Sequence, residues 1–472
     1  MNLNTLTIAE ARRALDAKEY SALDLTNAYL AAIQEKDADI HAYLEVWADS
    51  ARAEAKIADQ MIAQGKSMSL TGIPIAIKDN ILVEGRIASA ASKMLEKYVA
   101  SYDATVIKKL KDQGSVFLGR TNMDEFALGG STENSAFGPT KNPHDLSRVP
   151  GGTSGGSAAA VAAGMALVAL GTDTGGSIRQ PSAFCGVVGI KPTYGAVSRF
   201  GIIAAASSLD QVGAIGKTVA DAQALLEVIE GHDANDSTSL LNPQKIKKQP
   251  KVIGVPRVSL KEGVDPDVLR QFDATLDALK KSGYSVVDIE LPTLAYALAV
   301  YYIINPAEVS TNLARFDGIR YGLSVDADTG IGVYEKSRAA GFGPETRRRI
   351  LVGTFVLSAG YADAYYRKAR AVREVIRKDF AHAFESVDAI ALPTSPVPAW
   401  KLGEKSDPIA MYAADIFTVP INLVGVPAVS IPMGEVGREG TNLPVGFQVT
   451  APHMQEEILF KIGEDIERTK TE

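Results

Sequence analysis

Pro150-Gly151-Gly152-Thr153-Ser154-Gly155-Gly156-Ser157 begins a stretch that runs into Ala158-Ala159-Ala160-Val161-Ala162-Ala163 and then into the apolar run 168–170. The Ala/Gly-rich part reads as a buried helix leading into a strand, so a glycine- and hydroxyl-rich loop feeds a helix N-terminus. Working outward, short apolar runs bounded by Gly and Pro recur at 73–77, 116–118, 187–190, 252–255, 389–392 and 428–431. Helical patterns lie between them at 104–112, 219–229, 266–281 and 362–385. Strands alternating with helices predict an α/β fold. The expected architecture is a central mixed, largely parallel, twisted sheet covered by helices on both faces.

The first 65 residues are helical in pattern. Thr7 with Glu10 forms a capping box, Ser21 with Asp24 resembles another, and apolar residues recur at helical spacing over 23–33. The expected organisation is an N-terminal helical segment, 1–65, packed on an α/β unit, 66–472, within one compact domain. No 20–50-residue period marks a repeat protein. The polar stretch 232–249, with Lys245, Lys247, Lys248 and Lys251 in or beside it, reads as a solvated connector rather than a nucleic-acid contact.

Composition narrows the function classes. Of 472 residues, 49 are basic and 56 acidic, giving a net charge of −7, which argues against a broad phosphate-binding surface on this chain. Hydrophobic residues at 46% and charged residues at 22% fit a globular chain with a large core. The one cysteine, Cys185, excludes an internal disulfide framework and suits a reducing, cytoplasmic setting. It lies in an apolar run and reads as a core thiol. The N-terminus lacks the apolar core of a signal peptide, and no run approaches a membrane span of ~20 residues.

The segment 151–213 holds 13 of the chain's 41 glycines in 63 residues. Glycine at this density marks backbone that takes positive φ or approaches a ligand closely. A phosphate loop would need GxxxxGK[ST] or GxGxxG after a strand, and neither occurs. Gly171-Thr172-Asp173-Thr174-Gly175-Gly176-Ser177 instead presents a hydroxyl on a tight turn, with the amides of Thr174, Gly175, Gly176 and Ser177 free to converge on an oxyanion. Ser177 needs a base. None of the five histidines lies in a Gly/Ser motif, and no G-x-S-x-G elbow surrounds Ser177. Lys78, at the end of Gly72-Ile73-Pro74-Ile75-Ala76-Ile77, emerges from a buried strand. Desolvation lowers an amine's pKa and makes it a base near pH 7. Asp326, Asp328 and Glu335 lack the ligand spacing of a calcium loop and read as a surface turn.

Taken together these residues resemble the amidase signature family of Ser-cisSer-Lys hydrolases. The strings are GIPIAIKDN (72–80), TNMDEFALGGSTENSAFGPTKNP (121–143), PGGTSGGSAAAVAAG (150–164) and the run from 170 to 213, with ARFDGIRYG (314–322), RRRILVGTFVLSAGYADAYYRKA (347–369) and MYAADIFTVPINLVGVPAVSIP (411–432). The resemblance implies a single amidase-signature domain with Ser177 as nucleophile and Lys78 as base. The family's bridging serine, normally behind a cis peptide bond, falls on Thr153, with Ser154 as the second candidate for that role. The amides of Thr174, Gly175 and Gly176 would line the oxyanion hole. MDEFALGGSTE, ARFDGIRYG and GTFVLSAGYADAYY resemble the branch that cleaves glutamine and supplies ammonia for converting Glu-tRNA(Gln) to Gln-tRNA(Gln). There Tyr301, or its neighbour Tyr302 in its place, would hold glutamine together with Arg349 and Asp415. The branch implies two further amidotransferase subunits, B and C, in a heterotrimer, with ATP, Mg and most of the tRNA contact belonging to the larger partner. No metal or cofactor is expected on this chain. A stand-alone amidase for small amides and a non-catalytic scaffold are the alternative readings.

Overall fold

The computed structural model describes residues 2–241, 249–405 and 407–470. Lys245, Lys247 and Lys248 of the predicted connector lie outside the described residues. Eleven strands form one sheet: β1 Tyr43–Val46, β2 Pro74–Lys78, β3 Val116–Thr121, β4 Val168–Asp173, β5 Val188–Lys191, β6 Gln211–Gly216, β7 Val252–Val255, β8 Ser285–Asp288, β9 Ala389–Pro393, β10 Ala428–Arg438 and β11 Thr441–Thr450. Their order is β1-β3-β2-β4-β6-β5-β10-β11-β9-β7-β8.

The sheet is mixed, as expected, but it is not largely parallel. Among the described residues only β3–β2, β2–β4, β9–β7 and β7–β8 pair in parallel. The centre is antiparallel, because β6 and β5 run against their neighbours and β10 and β11 form a hairpin. That hairpin turns at Glu439 and Gly440, both at positive φ (50° and 85°), the requirement of a type I′ turn. Every residue of β2, β3, β4, β5, β6 and β9 is buried, so both faces of the sheet are covered.

The N-terminal helices Ile8–Asp16, Ala22–Ile40 and Ala48–Ala63 carry both predicted capping boxes at the starts of the first two. Their Ile8, Leu25, Tyr29 and Ala51 share one core cluster with Ile75 and Ile77 of β2, Leu118 of β3 and Val168 and Leu170 of β4. The same 65 residues also supply β1, which pairs with β3 at the sheet edge. Fully burying a leucine-sized side chain is worth about 1.5–3 kcal/mol, so these contacts hold the segment firmly on the sheet.

The parallel pair β2–β4 sets up the site. Ile77 of β2 stands opposite Leu170 of β4, so Lys78 at the end of β2 lies alongside the end of β4. Ligands bind outside the carboxyl ends of such strands. After β4 the chain makes the loop 174–178 and enters the Arg179–Cys185 helix, while the Gly155–Ala162 helix follows the Thr153-Ser154 turn.

Candidate active site

Lys78 is fully buried, as its apolar strand required. Its Nζ lies 2.8 Å from Thr153 Oγ1, 2.7 Å from Ser154 Oγ and 2.8 Å from Thr172 Oγ1. Burial is the main influence on this amine and lowers its pKa to about 7, against the opposing pull of Asp124, Asp173 and Asp210. Ser154 donates its hydroxyl hydrogen to the Thr172 carbonyl at 3.0 Å. Thr172 Oγ1 accepts from Asn80 Nδ2 at 3.1 Å. The only partner of the Thr153 hydroxyl among the described residues is the Lys78 amine.

Ser177 is 8% exposed, the most open member of the group. Its carbonyl accepts from the Ser154 amide at 3.1 Å, which ties the two loops together. A Cβ placed on Gly152 would stand 3.2 Å from Ser177 Cα, so the turn before Thr153 lies against the serine. No hydrogen bond joins the Thr153 and Ser177 hydroxyls among the described residues. No cis peptide bond occurs among them either; the bend before Thr153 is made by Gly151 and Gly152 at φ 85° and 50°.

A fully buried ion pair anchors the serine loop. Arg179 donates through Nε and Nη2 to the two carboxylate oxygens of Asp173, at 3.0 and 2.9 Å. It also donates to Gln448 Oε1, Asn422 Oδ1 and the Thr418 carbonyl. Burial alone would raise the Asp173 pKa, but Arg179 overrides it and holds the carboxyl well below the usual range. Asp173 accepts from the amides of Gly176 and Ile178. Gly176, one of the predicted oxyanion donors, thus has its N–H committed to Asp173. Among the described residues no protein acceptor takes the amides of Thr174, Gly175 or Ser177. The Thr174 hydroxyl is held by Asp210.

The predicted glutamine-binding residues converge on this loop. Tyr301 stands so close to Gly175 that a Cβ there would meet its hydroxyl at 2.5 Å. Asn305 bridges Tyr301 to Arg349, donating to the phenol at 3.4 Å and accepting from Nη1 at 2.9 Å. Arg349 is buried, paired with Glu345 through Nε at 2.8 Å and flanked by the rings of Tyr302 and Tyr412 at 5.0 and 5.1 Å. These bonds occupy two of its five N–H groups, and no hydrogen bond is made by Nη2 among the described residues. Asp415 accepts from Tyr302 Oη and Gln180 Nε2, both at 3.0 Å, and burial pushes its pKa up to about 7. Both neighbouring tyrosines therefore reach the site, Tyr301 at the oxyanion loop and Tyr302 at Asp415.

Asp173, Arg179, Gln180, Asn305, Glu345 and Tyr412 carry no role in the sequence reading, and Tyr302 enters it only as the neighbour that could take the place of Tyr301. The Arg179–Asp173 spacing of six residues across a turn was the available signal. The rest depend on strands and helices far apart in the chain. Cys185 is buried as expected, and burial raises its thiol pKa. Thr329 caps the Gly330–Gly341 helix where the acidic turn was expected.

Residues 24–460 match the family model described as Amidase. The chain belongs to the amidase family. The A subunit of glutamyl-tRNA(Gln) amidotransferase from Desulfatibacillum aliphaticivorans is 50% identical over 99% of this chain and 98% of its own length. The protein of the same name from Microcystis aeruginosa is 49% identical over 98% of this chain and 97% of its own. The crystal structure of the same subunit from Thermotoga maritima superposes with a TM-score of 0.81 at 41% identity, covering 99% of this chain and 95% of that one. Peptide amidase from Stenotrophomonas maltophilia gives a TM-score of 0.82 at 29% identity, covering 99% and 98%. The amidase fold expected from the motifs is borne out. Among the described residues no helix is long and apolar enough to cross a membrane.

Proposed function

We propose that this chain is the glutamine-hydrolysing, ammonia-supplying A subunit of a glutamyl-tRNA(Gln) amidotransferase. The observation that carries this reading is a dry lysine amine touching a loop hydroxyl, facing a serine turn across from an Arg349/Asp415 pair. A carboxylate and an ammonium on one α-carbon need such a pair of opposite charges. The relatives named above support the same reading.

Proton counting narrows the relay. A neutral amine has two N–H groups and one lone pair. Ser154 has its hydrogen on the Thr172 carbonyl, so towards Lys78 it accepts. The Thr172 carbonyl, 3.3 Å from Nζ, only accepts. With the Thr172 carbonyl and Ser154 Oγ accepting the two N–H groups, the lone pair faces the hydroxyls of Thr153 and Thr172. Thr153, whose turn lies against Ser177, is the bridge in this reading, and Ser154 orients the amine. Lys78 takes the Thr153 proton as Thr153 takes that of Ser177. Ser177 Oγ attacks the side-chain amide carbon of glutamine, and the oxyanion rests on the Thr174, Gly175 and Ser177 amides. The relay returns the proton to the amide nitrogen, the C–N bond breaks, and ammonia leaves. Water then attacks the acyl-serine by the same relay and releases glutamate.

In this reading the ammonia passes to the B partner of the heterotrimer, which uses ATP and Mg to activate Glu-tRNA(Gln), and the small C partner completes the assembly. The test is co-purification of the chain with its partners and an assay of Glu-tRNA(Gln) conversion. Glutamine with ATP supports conversion by the parent complex. Ser177→Ala abolishes it with glutamine and retains it with free ammonium. Glutamine-dependent conversion by Ser177→Ala overturns the assignment.

A further inference from the structure

We propose that Gln180 is a positioning residue that couples occupancy of the Asp415 seat to the Gly152–Thr153 turn, so that the substrate's α-ammonium raises turnover as well as affinity. The inference rests on Asp415 receiving that ammonium.

Gln180 lies in the first turn of the Arg179–Cys185 helix and is 1% exposed. One planar amide makes two bonds of opposite sense. Its Nε2 donates to Asp415 Oδ1 at 3.0 Å, and its Oε1 accepts from the Gly152 N–H at 2.7 Å. Gly152 precedes Thr153 and lies against Ser177. Its N–H is also 3.0 Å from the Gly130 carbonyl, so two acceptors compete for one hydrogen. Whatever moves Gln180 Oε1 shifts that competition and moves the peptide that carries the bridging hydroxyl. The backbone amide of Gln180 is fixed on the Gly176 carbonyl at 2.8 Å, which leaves only the side chain free to respond.

The groups around Asp415 define what an arriving cation changes. Tyr302 donates to it, while Arg349, Lys405 and Asp173 act on it through space. No cation bonds it among the described residues. An ammonium on Asp415 draws the carboxylate toward itself and pulls Gln180 with it through the 3.0 Å bond. A water molecule in the seat carries no charge and exerts no such pull. Amides lacking the α-amino group therefore leave the Gly152 turn in its resting balance.

The experiment compares glutamine with glutaramate, which has the same amide and carboxylate but no α-amino group, on the assembled complex. The parent turns over glutamine with the higher kcat. Gln180→Met lowers the glutamine-to-glutaramate kcat ratio at least fivefold while the KM ratio moves by less than twofold. Melting temperature and ammonium-fed conversion verify that the variant is folded. Gln180→Glu supplies an independent readout, because its carboxylate still accepts from Gly152 but must share a proton with Asp415. Its glutamine kcat falls with rising pH by one proton relative to the parent, an effect that loss of packing does not produce. An unchanged kcat ratio in Gln180→Met, or a Gln180→Glu profile parallel to the parent's, overturns the coupling. If the parent itself fails to distinguish the two substrates, the assignment of Asp415 as the ammonium seat has failed instead.

Discussion

Lowering the pH through neutrality perturbs Lys78 directly. Its pKa of about 7 lies some 3.5 units below the ordinary 10.5, as burial dictates. At 1.36 kcal/mol per unit, charging the amine in place costs roughly 5 kcal/mol more than in water. At pH 7 about half of the molecules hold a neutral amine, against roughly 0.03% for an unshifted lysine, a gain on the order of 10³ in competent enzyme. The neutral form is the base, so activity is lost on the acid side. The kcat/KM for glutamate release from glutamine by the assembled complex, followed from about pH 5.5 to 9, reports the free enzyme. The expected profile rises on the acid side by between about ten- and a hundredfold per pH unit, because Lys78 and Asp415 both give up a proton near pH 7. It then levels, while kcat follows Lys78 alone. The same shift acts on folding. Between about pH 7 and 10.5 the unfolded chain binds a proton that the native chain lacks, so stability rises with pH across that window and the penalty is complete below it. Lys78→Met removes one proton's share of that slope, while Lys191, buried and lowered to about 7 as well, keeps its own. A flat activity profile, or Lys78→Arg retaining near-parent activity although its guanidinium cannot act as a neutral base, refutes the lysine relay.

Other substitutions separate the remaining roles. Thr153→Ala lowers glutamine kcat by about 10²–10⁴, the range of a lost general acid-base group, whereas Thr153→Ser retains activity. Ser154→Ala stays within about tenfold of the parent if Ser154 only orients the amine, and steady-state kinetics decide between the two hydroxyls. Arg349→Lys loses two-point grip on a carboxylate and raises the glutamine KM by roughly 10–100-fold, while ammonium-fed conversion is unaffected. Arg179→Met strands the Asp173 carboxylate in the interior and destabilises the fold by about 3–5 kcal/mol, read as a drop in thermal midpoint.

The strand-and-helix alternation was legible wherever apolar runs were unbroken, as at β2, β4 and β7, and the 219–229 and 266–281 helices fall where the pattern placed them. β6 and β11 escaped because Gly213, Gly216, Pro444 and Gly446 interrupt their runs, and pairing on both sides overrides those weak local preferences. The exposed edge strand β8 has too little apolar character to register. Parallel dominance was overestimated because a run such as 428–431 looks the same whether its neighbour is parallel or antiparallel. Lys78, Thr153 and Ser177 were readable because each sits in its own local motif. The ring of Tyr302, Asn305, Glu345 and Tyr412 was not, because its members meet only through helices that the chain brings together over more than a hundred residues.

The clasp on Arg179 has a consequence for the order of synthesis. Three of its partners, Thr418, Asn422 and Gln448, are made after nearly nine-tenths of the polypeptide. A nascent chain whose C-terminal hairpin is still inside the ribosome holds the lysine, the threonine and the serine, yet lacks the groups that brace the turn presenting them. The turn that presents the serine is therefore braced in full only when the last strands emerge.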